Sequence, residues 1–169
     1  MEFDNILHGR ELEFKDFKQS EKFLRERLRQ TRFSNQRAIT GSMTAWRTFS
    51  DEKQDLPPLG TKMHLEHIYA KKRHELHPLN NPDLLESLGN KSLLEERINI
   101  RASDYRFADK KKIYLGLNSN NKFPNGTFNL ELRNLAENLN DFTEADILER
   151  NEEIFKAFVA CLRENNLLA

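Results

Sequence analysis

A ten-residue break governs what this chain can become. Asp51 to Gly60 carries Pro57-Pro58 and closes on a glycine. Proline lacks the amide hydrogen that a helix interior needs, and its ring clashes with the preceding turn, so no helix continues through this stretch. The residues on its two sides follow different patterns. Upstream, residues 10–32 set Phe14, Phe17, Leu24 and Leu28 at three- and four-residue steps among Lys, Arg and Glu, the period of an amphipathic helix. Ser34 to Phe49 is expected to form a second helix, entered at Ser34 or Asn35, with Ile39, Met43, Trp46 and Phe49 as its apolar stripe and Gly41 as its weak point. Downstream, Lys62 to Tyr69 mixes apolar Met63, Leu65 and Ile68 with polar His64, Glu66 and His67 and predicts a strand. Residues 70–87, with Pro78, Asn80-Asn81 and Pro82, read as a long loop. Leu88 to Leu94 is expected to pair back as a second strand, followed by helices at Glu95–Arg106 and Lys110–Leu117 and by a surface loop over Gly116–Thr127. Thr143 and Asp146 form a capping-box pattern at the start of a last helix, whose buried stripe is Ile147, Phe155, Phe158, Val159 and Leu162.

This order predicts an α+β fold in which helices at both ends pack around a small strand-containing centre. Its 169 residues suit one domain, with a helical scaffold over 1–60, the centre over 61–117 and C-terminal helices over 128–169. Hydrophobic residues at 37% leave enough Phe, Leu and Ile for a packed core, so disorder is not the default expectation. No apolar run approaches the ~18 to 20 residues that span a bilayer, and Met1-Glu2-Phe3-Asp4 lacks the start of a signal peptide, so a cytoplasmic protein without a membrane partner is expected. The single Cys161 rules out an internal disulfide and a Cys-based zinc site, which leaves His, carboxylate and Asn as metal ligands. Net charge is +0, yet residues 61–128 hold twelve basic and eight acidic side chains, whereas residues 129–169 hold four and nine. The basic centre is therefore the part suited to a polyanion.

Within that centre, His64-Leu65-Glu66-His67-Ile68 places two imidazoles and a carboxylate within four residues. Such groups suit a divalent cation, and a histidine also accepts a proton near neutral pH. The same cluster is compatible with ordinary hydrogen-bonded histidines. A third reading pairs His64 and His67 with His74 and His77 as an all-histidine zinc site, although structural zinc favours cysteine. Lys110-Lys111-Lys112, taken alone, is a solvated helix face.

Further residues fall into one progression: Leu88-Gly89-Asn90-Lys91-Ser92-Leu93-Leu94, then Arg97-Ile98-Asn99 with nine residues from Asn90 to Asn99, then Phe107 and Lys110. Together with His64-Leu65-Glu66-His67-Ile68, this resembles the HNH nuclease domains of the GmrSD C-terminal type, with their H-x-E-H-I, L-G-N-x-x-L-L, N and F-x-x-K order. Phe142 to Arg150 also resembles that family's final helix, and the likeness covers roughly residues 20–162. Two positions depart from the pattern. Tyr69-Ala70 stands where the family usually has a proline after His-Ile, and Glu66 stands where many HNH enzymes have aspartate.

The resemblance implies a ββα-metal core and hydrolysis of phosphodiester bonds in DNA, with RNA as a further substrate class, in a restriction or phage-defence setting. By position it implies that Glu66 and Asn99 are metal ligands, His67 the general base, Asn90 the residue that ties the loop and orients the base, and His64 an added ligand or phosphate donor. Mg²⁺ is the expected cation, with Mn²⁺ as an alternative, since a carboxylate and an amide leave most of its shell to water and phosphate. Lys71, Lys72, Arg73, Arg97, Lys110, Lys111 and Lys112 are expected to contact nucleic-acid phosphates. No nucleotide-binding motif is present, and the family implies a separate NTP-using sensor domain or subunit as partner. The rival from another class is a catalytically silent nucleic-acid-binding module with the same fold.

Overall fold

The computed structural model describes residues 20–30, 37–117, 125–165 and 167. Among these, seven α-helices accompany one two-stranded antiparallel sheet, an α+β architecture. In chain order they are α1 (Glu21–Gln30), α2 (Arg37–Phe49), β1 (Met63–His67), α3 (Lys71–Leu76), β2 (Lys91–Glu95), α4 (Glu96–Ala102), α5 (Phe107–Tyr114), α6 (Leu130–Asn138) and α7 (Glu144–Glu164).

The chain divides into two compact units. Of the described residues, one unit comprises α1 and the chain from Phe155 onward; the other runs from Arg37 to Ile154. In the first, Ser20 Oγ accepts a hydrogen bond from the Phe23 amide and so caps α1. Arg25 lies 3.9 Å over the Phe155 ring and Arg163 pairs with Glu21 at 2.7 Å. The expected aromatic contacts of Phe14 and Phe17 lie outside the described residues, as do the helix entries at Ser34 and Asn35.

The second unit is built on the β1–β2 pair. Its register sets Met63 against Glu95, Leu65 against Leu93 and His67 against Lys91. The Ile68 amide donates to the Asn90 carbonyl and the Glu96 amide to the Lys62 carbonyl, so bonding extends one step beyond each end of the ladder. α4 packs on both strands and α5 on α4. Ile68, Leu94, Ile98, Ala102, Phe107 and Tyr114 thereby meet in one core with Leu132, Phe142 and Ile147. Phe107 and Phe142 sit 5.7 Å apart, centroid to centroid, at a tilted angle. α6 is capped by Asn129, whose Oδ1 accepts from the Leu132 amide and whose Nδ2 donates to the Leu93 carbonyl and to Ser92. Thr143 and Asp146 close α7 as its sequence foretells: the Thr143 amide and hydroxyl both donate to Asp146 Oδ2.

Four expectations are corrected, the first being that the second strand starts at Lys91 and not at Leu88, because Leu88–Asn90 forms a 3-10 turn. Residues 70–87 do not form a plain loop, because α3 and a 3-10 turn over Pro82–Glu86 occupy much of the stretch. No residue of α3 is buried, so there is no apolar period to read, whereas Asn81 accepts from the Asp83 amide and Pro82 starts the turn. On α2, the buried side chains are Thr40, Thr44 and Thr48, while Ile39 is half exposed. The helix packs beside β2, its small β-branched face is the buried one, and the apolar stripe read from Ile39 to Phe49 is not. The helix expected over Glu95–Arg106 ends at Ala102, because Ser103 adopts a positive φ of 41° that an α-helix cannot continue through.

Candidate active site

Successive residues of a strand face opposite sides, and that alternation divides the motif in two. Glu66, paired with Ser92, turns inward and is 3% exposed. Its Oε1 accepts from Lys110 Nζ at 2.6 Å and from the Tyr114 hydroxyl at 2.6 Å. Lys110, 1% exposed, also donates to the carbonyl of His67. The Tyr114 phenol is held well above its ordinary range by burial and by the Glu66 carboxylate.

His67 leaves the other face of β1, directly opposite Lys91. Its Nε2 lies 3.2 Å from Glu86 Oε2 and in contact with Lys91 Nζ. Glu86 also takes Lys91 Nζ at 2.5 Å and Lys71 Nζ at 3.0 Å. Four titratable groups thus share one patch, closed on the Lys91 side and open on the Lys71 side, where the lysine is more than half exposed. Burial, and then the Lys91 ammonium, lower the His67 pKa to about 4 against the opposing pull of Glu86. Burial alone would raise Glu86, but hydrogen bonds from Lys91 and Lys71 outweigh it and bring the carboxyl to about 2. Burial lowers Lys91, and its bond to Glu86 works the other way. The ring of His67 is therefore neutral at pH 7.

The turn that carries Glu86 is fastened to the strand by Asn90, which is fully buried. Its Oδ1 accepts from the Tyr69 amide at 2.6 Å, and its Nδ2 donates to the carbonyls of Tyr69 and Leu85. Below it, the Gly89 amide donates to Asn151 Oδ1, and Arg150 donates to the Gly89 carbonyl and pairs with Glu131 at 2.8 Å. A Cβ on Gly89 would stand 2.2 Å from the Ile147 carbonyl oxygen, so only glycine fits there.

The other expected residues are spread over the unit. His64 is exposed and pairs with Glu96 at 3.3 Å. Asn99 is partly buried on α4, one turn beyond Glu96. Two of the residues expected at phosphates have internal partners. Lys110 is committed to Glu66 in the interior, and Arg73 grips Asp141 with two hydrogen bonds of 2.6 Å while lying over the Tyr69 ring. Lys111 donates to the Leu139 carbonyl. Lys71, Lys72, Arg97 and Lys112 remain exposed. The four histidines do not form the all-histidine zinc site, since among the described residues no three His, Cys, Asp or Glu side chains gather around one point. His74 instead accepts the Leu79 amide.

A hard divalent cation suits carboxylate and amide oxygens, but the residues as placed do not hold one beside His67. Glu66 spends Oε1 on an ammonium and a hydroxyl, on the face of β1 turned away from the imidazole. Glu86 and Lys91 are the members of this patch that motif reading missed. The register opposite His67 points to Lys91, whereas nothing in the sequence brings Glu86 back to β1.

A two-stranded hairpin followed at once by a helix, with a neutral histidine at the end of its first strand, defines a ββα-type domain. The model of the GmrSD restriction endonucleases, C-terminal domain, matches residues 2–157, and the chain belongs to that family, a restriction-type nuclease domain. No curated protein and no solved structure gave a match. Among the described residues, no helix is long and apolar enough to cross a membrane.

Proposed function

We propose that this chain is a metal-dependent HNH endonuclease that hydrolyses phosphodiester bonds in DNA, as the nuclease part of a restriction or phage-defence system. The observation that carries the reading is His67: its ring is neutral at pH 7 and stands beside two lysines, in a chain of a restriction-endonuclease family. In the reaction, a water oxygen attacks phosphorus, His67 takes the water proton, and the bond to the leaving sugar oxygen breaks. Lys71 and Lys91 lie where positive charge would offset the negative charge that gathers on the non-bridging oxygens of the pentacovalent phosphate. For His67 to act, Lys91 must release Nε2. Mg²⁺, or Mn²⁺ in its place, would supply Lewis acidity. An NTP-using sensor domain or subunit, as partner, would choose the target, and Lys72, Arg97 and Lys112 are exposed cations for flanking phosphates.

Nicking of supercoiled plasmid with Mg²⁺, with Mn²⁺ and with a chelator, compared between the protein and His67→Ala, tests the proposal. Cutting that requires metal and His67 is expected. A second reading, a silent binding module, is favoured by the Lys91 ammonium that covers the base nitrogen. It predicts that both proteins bind plasmid and neither nicks it.

A further inference from the structure

Glu86 is the most heavily contacted carboxylate at this patch. Its two oxygens are approached by Lys71 Nζ at 3.0 Å, Lys91 Nζ at 2.5 Å and His67 Nε2 at 3.2 Å. Three nitrogens from three separate segments, the end of β1, the start of α3 and the start of β2, converge on one anion. Two of them are lysines, and Lys91 is buried at 4% exposure. A buried ammonium needs a counter-charge, and among the described residues the carboxylate that pairs with Lys91 comes from the last residue of a short 3-10 turn. The turn is fixed by backbone and Asn90 contacts up to Leu85, whereas Glu86 itself is about one-quarter exposed.

Resting on the nuclease reading, we propose that Lys71 and Lys91 form the seat of the scissile phosphate beside His67, and that the Glu86 carboxylate occupies this seat until a phosphodiester displaces it. The charge balance supports the exchange: a phosphodiester carries one negative charge, as a carboxylate does, and offers two oxygens to the same two ammonium groups. Lys91 keeps a counter-ion throughout, so the lysine is never left buried and unpaired. The exchange also frees the imidazole from Glu86 at the moment the phosphate arrives. Lys91 then touches substrate as a catalytic residue, and Glu86 is an internal competitor rather than a partner of the reaction.

The test is the affinity of a fluorescein-labelled duplex oligonucleotide for the full chain, measured by anisotropy at fixed salt in chelator. Glu86→Gln keeps the shape of the side chain and removes the competing charge; it is expected to bind the duplex about three- to tenfold more tightly than the unaltered protein. Lys71→Met, at an exposed position where folding is not at risk, is expected to bind severalfold more weakly and with a shallower salt dependence, about one phosphate contact fewer. Thermal melting monitors the fold of both, and should Glu86→Gln fail to fold, Lys71→Met decides alone. Unchanged or weaker binding by folded Glu86→Gln, unchanged binding by Lys71→Met, or no binding by any of the proteins overturns the proposal. Plasmid nicking, run in parallel, separates the two readings. Cutting without the affinity gain removes the phosphate seat and leaves the nuclease; the affinity gain without cutting in Mg²⁺ or Mn²⁺ leaves the seat and removes the nuclease.

Discussion

Adjacent residues Glu66 and His67 meet opposite fates, and each predicts a different kind of defect. Glu66 closes a buried ion pair with Lys110 and a hydrogen bond from Tyr114. Removing one partner strands the other charge in the interior, at a cost of about 3 to 5 kcal/mol. Glu66→Gln and Lys110→Met are therefore each expected to lower the denaturation midpoint strongly, and Glu66→Gln/Lys110→Met by less than the sum; additive losses in chemical denaturation would contradict the pairing. His67 acts through protons. Unfolded, the ring protonates near pH ~6.5; folded, it does so only at about 4. Between those values the unfolded chain binds more protons, so this contribution to stability is full above ~6.5 and is lost as pH falls toward 4. Glu86, held at about 2 against 4.5, adds stability that is present above 4.5 and is lost as pH falls below it. His67→Gln should remove the first window and spare much of the second. Urea midpoints at about pH 7 and about pH 5 would read this, since the unaltered protein should lose more between them than the variant. An equal loss in both would contradict it.

At the scale of elements, the turn from Ser87 to Lys91 couples α7 to the end of β1. Asn90→Ala deletes three hydrogen bonds in a fully buried position and is expected to cost about 2 to 4 kcal/mol. Gly89→Ala forces a methyl against the Ile147 carbonyl, a backbone atom that cannot rotate away, and should cost about 1 to 3 kcal/mol in the same assay. Wild-type midpoints in either variant would mean that this turn is not the fastening it is described as. The same elements show what the sequence could convey. The β1–β2 pair and the α7 cap were legible, because apolar mixing in Lys62–Tyr69 and the Thr143–Asp146 spacing are local signals. α3 was not, since it buries nothing, and neither was the inward face of α2, where three threonines rather than the apolar residues are buried. At the site, His67 and Asn90 stood out by motif. Glu86 did not, because its approach to His67 depends on how residues 68–90 fold back, and no spacing rule encodes that path.

Over the whole molecule, the two faces of β1 do separate work: the inner one holds the unit together through Glu66, and the outer one presents His67 with Lys71, Lys91 and Glu86. Family membership supplies the restriction-nuclease class, and the proposed chemistry lies on the outer face, where His67 stands opposite Lys91. The charge pattern of the sequence agrees only in part, since Lys110 and Arg73 of the basic centre serve internal pairs. The most direct measurement is the single-turnover cleavage rate of His67→Ala and Glu66→Gln, each set beside its melting temperature. The account predicts that His67→Ala melts near the unaltered protein yet cuts at least about a hundredfold more slowly, while Glu66→Gln melts far lower and still cuts at temperatures where it remains folded. A Glu66→Gln protein that is as stable as the unaltered one but inactive would contradict it, and would return the carboxylate to the reacting centre.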